Sequence, residues 1–281
     1  MGRAGAIDRI SVPASGPCES PVYAVLRRSR RVWAVASVHG EAERLAALHS
    51  HLSERLQFGD RLVYLGNILG QGQRVADCVD EVLRFRAEVM ARPFGFAGDV
   101  AILRGAQEEM WQKLLELQFA PNPREVLAFM RRHGLDATIT AYGGDPKQGE
   151  AACREGPLAI TRWTTGLRRH VNERSGHAQF MAALRRAAFT DEGTLLFVNA
   201  GLDAAKPLDL QGDAFWWSGG AFELLEPYET YRRVVRGFDR RHSGLVESAH
   251  AVSLDAGSGF GGALLAACFS NDGVIVDRLE A

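Results

Sequence analysis

Residues 60–67 read Asp60-Arg61-Leu62-Val63-Tyr64-Leu65-Gly66-Asn67. The apolar run predicts a buried strand over Arg61–Leu65, and Gly66-Asn67 closes it in a turn. Upstream, Val32–Ala36 is a second short apolar run and predicts another buried strand, followed by the loop Ser37-Val38-His39-Gly40. Between the two, Glu41–Leu56 carries Leu45, Leu48, Leu52 and Leu56 at helical spacing. Downstream, Gln73–Met90 repeats the helical pattern with Val75, Val79, Val82 and Val89, and Val100–Leu103 predicts a third strand ending in Arg104-Gly105. Strand, loop and helix alternate as layered α/β architecture requires.

The middle of the chain is different. Ala106–Leu117, Arg124–Arg132 and His177–Ala188 predict helices, and Gly143-Gly144-Asp145-Pro146 breaks the chain between them. Residues 145–175 are polar and weakly periodic, as in a helical cap or a loop insertion. Strands return at Leu195–Val198, Arg233–Val235, Ala251–Leu254 and Ala263–Phe269. Gly257, Gly259, Gly261 and Gly262 precede the last of these and read as a turn, since no helix-opening nucleotide motif surrounds them. No internal repeat or low-complexity tract is present.

At 281 residues the chain suits one large α/β domain or two small ones. Residues 1–20, rich in Gly, Pro, Ser and Ala, read as a loose leader, and 21–281 as a single domain. With a net charge of -1 no global basic field attracts nucleic acid or membrane, and no apolar stretch is long enough to span a bilayer. Only Lys113, Lys147 and Lys206 are lysines. The excess of arginine together with alanine reads as the coding bias of a GC-rich genome. Cys18, Cys78, Cys153 and Cys268 are scattered without a C-x-x-C pair, which fits free thiols in the cytoplasm.

In layered α/β folds ligands sit beyond the carboxyl ends of the strands. Five loops there are short and polar: Ser37-Val38-His39-Gly40, Gly66-Asn67, Arg104-Gly105-Ala106-Gln107-Glu108, Asn199-Ala200-Gly201 and Arg236-Gly237-Phe238. Their order and spacing resemble the calcineurin-like metallophosphoesterases, which run D-x-H-G, G-D-x-x-D-R-G, R-G-N-H-E, H-A-G and G-H. The resemblance is greatest to the serine/threonine phosphatase branch, which includes bacterial diadenosine-tetraphosphate hydrolases. Asp60–Gly66 resembles that branch's D-R-L-V-F-L-G, and Phe197–Leu202 resembles F-V-H-A-G-L. Phe215-Trp216-Trp217, Asp255-Ala256-Gly257 and Gly261-Gly262 extend the similarity, which covers roughly residues 32–270. It implies a four-layer sandwich of two mixed sheets flanked by helices, with a helical cap inserted over about 106–190.

The same resemblance implies two divalent metals held by two aspartates, an asparagine and three histidines, which activate water and clamp phosphate. Here those positions carry Ser37, His39, Asn67, Ala106, Asn199 and Phe238, so only His39 keeps its identity. The proton-donating histidine falls on Gln107, and the D-R-G aspartate and arginine fall on Gly70 and Gln71. Arg104 and Glu108 are retained, and Arg236 replaces a further histidine. Changes around a metal's ligands alone cost about 10–100-fold in affinity or activity. Here both carboxylates are gone from the ligand set itself.

These substitutions lead to the expectation of a non-catalytic member of the fold, a pseudophosphatase without a metal cofactor. It would bind a protein partner or a phosphate-bearing ligand, the latter through Arg104 and Arg236 facing a neutral pocket. The alternatives are an active phosphoesterase using Mn, Fe or Mg with atypical ligands, either a protein phosphatase or a dinucleoside-tetraphosphate hydrolase, and a purely structural subunit. Asp239 reads as a surface carboxylate or a displaced ligand, and His49 and His51 as solvated or packing side chains. Arg27, Arg28, Arg30 and Arg31 form a basic run that leads into the first strand or docks a partner. Trp216-Trp217 reads as core or as packing beneath the cap.

Overall fold

A computed structural model describes residues 22–217 and 220–281. Cys18 and the leader expected over residues 1–20 lie outside the described residues. The chain opens with β1 (Tyr23–Leu26), β2 (Arg31–Val35), α1 (Ala42–Arg55), β3 (Asp60–Tyr64), α2 (Val75–Met90) and β4 (Val100–Ile102). Val32, Trp33, Ala34 and Val35 are fully buried, as are Leu62, Val63 and Tyr64, which is why these continuous apolar runs form central parallel strands. Leu45, Leu48 and Leu52 of α1 and Val75, Val79, Val82 and Phe85 of α2 are buried against them. His49 is also buried: its ring stacks on Phe85 at 4.0 Å, and its nitrogens meet Glu81 at 2.6 Å and the Tyr64 hydroxyl at 2.8 Å.

Six helices follow: α3 (Ala106–Leu115), α4 (Pro123–Arg132), α5 (Leu135–Ala141), α6 (Pro146–Glu155), α7 (Pro157–Glu173) and α8 (His177–Ala183). Asn122 and Asp145 cap α4 and α6, each with proline in the first turn. The polar 145–175 stretch is thus largely helical, with Ile160, Thr164, Leu167 and Val171 as the buried stripe of α7.

The chain returns through β5 (Ala187–Thr190), β6 (Leu195–Val198), a short α9 (Ala214–Trp217), β7 (Arg233–Arg236), β8 (Gly244–Glu247), β9 (Ala251–Asp255), β10 (Leu265–Ser270) and β11 (Ile275–Glu280). Two mixed sheets result, one ordered β1-β5-β6-β7-β9-β8 and one β11-β10-β2-β3-β4. Phe197 of β6 meets Phe269 of β10 edge-on at 6.0 Å, joining the sheets in one core. No helix among the described residues is long and apolar enough to cross a membrane. Cys78, Cys153 and Cys268 are free and buried.

One expected helix is corrected. His177–Ala188 is helical only to Ala183, and from Ala187 the chain is strand. Ala187 and Ala188 pair with Tyr23 and Ala24 on one side, and Ala188 pairs with Phe197 on the other. These partners lie far away in sequence, and their pairing overrides the local helical pattern. The strands β1, β8 and β11 also escape the sequence reading. All three are sheet edges and mostly partly buried or exposed; β8 and β11 lack a continuous apolar run, whereas β1 is a run of only four residues, Tyr23–Leu26.

Candidate functional site

The five polar loops converge. The Ser37 amide donates to the Gly237 carbonyl at 3.0 Å, and the His39 amide to the Asn67 carbonyl at 2.7 Å. The Asn199 side-chain amide donates to the Leu65 carbonyl at 2.6 Å, and the Asn199 backbone carbonyl accepts from the Gly237 and Phe238 amides. Backbone bonds thus tie together the ends of β2, β3, β6 and β7. Both His39 (φ 54°) and Asn67 (φ 51°) hold the left-handed conformation, which histidine and asparagine tolerate better than most residues. Gly105 has no substitute here, because a Cβ would stand 2.3 Å from the Asn67 side-chain oxygen.

Glu108, fully buried in the first turn of α3, organises this junction. Its carboxylate accepts N–H bonds from Asn67 at 2.9 Å, Leu69 at 2.9 Å and Gly105 at 2.7 Å. Burial raises its pKa, and the three donors oppose that shift. Asn67 then uses its amide group on both sides. Nδ2 donates to Ser37 Oγ at 3.2 Å, and Oδ1 accepts the Gln107 amide at 3.0 Å.

His39 lies within a set of aromatic rings. Phe238 and Phe260 meet it edge-on at 5.7 and 5.2 Å, and His242 stacks on Phe260 at 4.4 Å. Burial, with His242 nearby, lowers the His39 pKa to about 3, so the ring is neutral. Both its nitrogens lack a hydrogen-bond partner among the described residues, as do Asn199 Oδ1 and Gln107 Oε1. Ala106 packs instead in an apolar cluster with Val198 and Trp216.

Six positions expected from sequence therefore come together: Ser37, His39, Asn67, Gln107, Asn199 and Phe238. They do not fit a pair of divalent cations. A neutral imidazole, amide oxygens, a hydroxyl and a phenyl ring carry no charge to offset two dications. The nearby carboxylates are committed elsewhere, Glu108 to three backbone amides and Asp255 to His242 at 2.8 Å and the Asp239 amide at 2.9 Å. Among the described residues, no three of His, Cys, Asp and Glu gather as a metal site would need.

The two arginines depart from expectation, for they do not share a net-positive pocket. Arg104 pairs with Glu109 at 3.1 Å. Arg236 is buried over the Phe222 ring, donates to Ser253 Oγ at 2.6 Å and pairs with Asp239 at 3.1 Å and Glu223 at 3.3 Å. Asp239 is accordingly a buried ion-pair partner, not a surface carboxylate. Arg236 and Phe238 line a cavity of about 220 Å³, whereas Arg104 lines a separate one of about 440 Å³. Sequence reasoning missed Glu109, Glu223 and Phe260. Only the i+3 spacing of Arg236 and Asp239 hinted at any of this pairing.

No protein-family model and no curated protein matches the sequence. Among solved structures, a protein assigned as a diadenosine tetraphosphatase is similar over 92% of this chain and 97% of its own, at 20% identity and a TM-score of 0.52. A Saccharomyces cerevisiae protein serine/threonine phosphatase with similarity to human phosphatase PP5 is similar over 94% of this chain and 85% of its own, at 11% identity and a TM-score of 0.53. With two mixed sheets, flanking helices and site loops at the strand ends, the chain has the fold of the calcineurin-like metallophosphoesterases.

Proposed function

We propose that this protein is a non-catalytic metallophosphoesterase-fold protein, a pseudophosphatase, that works in the cytoplasm by binding a protein partner. The observation that supports this reading is the pair of bonds made by the Asn67 side chain, which donates to Ser37 Oγ at 3.2 Å and accepts the Gln107 backbone amide at 3.0 Å, so that neutral groups meet where the resemblance expects metal-binding carboxylates. A side chain that neutralises its neighbour needs no cation, and a neutral cluster has no anionic charge with which to hold one. A protein partner is favoured over a phosphate-bearing ligand because Arg104 and Arg236 already have carboxylate partners. A phosphate would have to displace Glu109, or Asp239 and Glu223.

The test combines elemental analysis of purified protein with hydrolysis of an aryl phosphate in added Mn²⁺, with and without chelator. The reading expects no stoichiometric Mn, Fe, Zn or Ni and no turnover above background. It also expects no rise in melting temperature with Mn²⁺, since a ligand stabilises only the state it binds. A pair of metals per chain with chelator-sensitive hydrolysis would establish the competing reading, an active phosphoesterase with atypical ligands.

A further inference from the structure

The largest cavity described, about 920 Å³, lies at the opposite ends of the strands from the site. It is bounded by the segments leading into β2, β3 and β4 and by the carboxyl ends of α1 and α2. Its character comes from three phenylalanines and three arginines. Phe58, Phe94 and Phe96 are 65%, 77% and 67% exposed, among the most exposed large apolar side chains of the described residues. Phe58 and Phe94 meet edge-on at 5.9 Å, and the Arg30 guanidinium lies over the Phe58 ring at 5.7 Å. Phe94 holds a left-handed backbone (φ 62°), unfavourable for so bulky a residue, while its ring projects into solvent.

The charge of the recess is unbalanced. The guanidinium groups of Arg28, Arg30 and Arg92 form no ion pair with a carboxylate among the described residues: Arg92 donates to Leu56 and Ser53 with Glu88 acting on it at longer range, and at Arg28 it is the backbone amide that meets Asp191 at 3.0 Å. The two acids present are already engaged: Asp60 is held by Arg31 at 2.6 Å, and Asp99 pairs with Arg61 at 3.4 Å. Three guanidinium groups without an ion-pair partner therefore border an aromatic hollow on a chain whose net charge is -1. Arg28 and Arg30 belong to the basic run already conspicuous in the sequence.

The geometry points to a docking groove for an acidic protein segment carrying an apolar anchor residue. Arginine recognises carboxylates through two parallel N–H bonds, and a concave aromatic pocket buries a large apolar side chain as an interface anchor. A nucleic acid is the poorer occupant, because phosphate-backbone binding draws its strength from the number of phosphates neutralised and only three arginines here lack an ion-pair partner. A membrane surface is also poorer, since the arginines border a hollow and not a protruding face. The groove shares no residue with the site at the other strand ends, so the inference stands whether or not that site turns over phosphate.

The experiment is a selection of random displayed peptides on the wild-type protein, followed by binding of the enriched peptides to two variants. One carries Arg28→Glu and Arg30→Glu, the other Phe58→Ala and Phe94→Gly. All four side chains are exposed, and matching melting temperatures would show that both variants fold. Expected are peptides with several Asp or Glu around one apolar residue, weakened about tenfold or more by each variant and further weakened by added salt. A single-stranded oligonucleotide and vesicles rich in anionic lipid serve as parallel probes. No enrichment, neutral or basic consensus peptides, peptides indifferent to both variants, or tighter binding of the oligonucleotide or vesicles would each overturn the inference.

Discussion

Asn67 Nδ2 stands 3.2 Å from Ser37 Oγ, so the residues at two positions where the sequence resemblance leads one to expect metal-binding aspartates are donor and acceptor of one hydrogen bond. An aspartate pair at that separation would need a cation between its members or a shared proton. The asparagine–serine pair needs neither. The loss of charge at one position is matched at the other, and the junction stays closed by its own polar groups.

Reintroducing one carboxylate should therefore harm stability without restoring chemistry. Asn67→Asp puts an anion next to the buried Glu108 carboxylate and exchanges a donor for an acceptor. A loss of about 1–3 kcal/mol is expected in denaturant unfolding. Aryl phosphatase activity should remain at background, because residues acting as a unit are not restored one at a time. The smallest set worth assaying is Ser37→Asp, Asn67→Asp, Ala106→Asn, Gln107→His, Asn199→His and Phe238→His together. Metal-dependent turnover by Asn67→Asp alone would contradict this.

Acid should destabilise the protein through His39. Its folded pKa is lowered from 6.5 to about 3, so the unfolded chain binds the proton more readily. Stability from this group is complete above pH 6.5 and is lost as pH falls from 6.5 towards 3. Melting temperatures followed over that window should drop less steeply for His39→Asn, which suits the left-handed backbone and does not titrate. Parallel pH profiles for the two proteins would show that His39 is not the source.

Arg236 should prove structural. Arg236→Met strands Asp239 without its charge partner, at a cost of about 3–5 kcal/mol for breaking a buried pair. The double variant with Asp239→Leu should recover a large part of that loss, since both charges are then gone. A thermal melt of the single variant within about 0.5 kcal/mol of wild type, the range of ordinary surface changes, would show that the pair is not needed.

Glu108→Ala removes the acceptor for three backbone amides at once. Unsatisfied buried donors cost about 1–3 kcal/mol each where water cannot reach them, so a loss of at least about 3 kcal/mol is expected. Hydrogen exchange should accelerate specifically at Asn67, Leu69 and Gly105. Unchanged protection at those amides would show that the loops hold without it.

Much of this was legible in the sequence because it depends on neighbours along the chain. The apolar runs of β2, β3 and β6 could only be buried strands, and the leucine spacing of α1 could only be one face of a helix. The identities of Ser37, Asn67, Asn199 and Phe238 and their order along the chain are read from the sequence alone, so the expectation about them could be framed before any fold was known. The tertiary structure decided the rest, since each of those questions turns on groups distant in sequence. Ala187–Thr190 became strand because β1 and β6 flank it. Arg236 found carboxylate partners in Glu223 and Asp239, and His39 acquired walls from Phe238 and Phe260. Burial and ion pairing are set by whatever the fold brings within a few ångströms, and local sequence patterns do not record that distance.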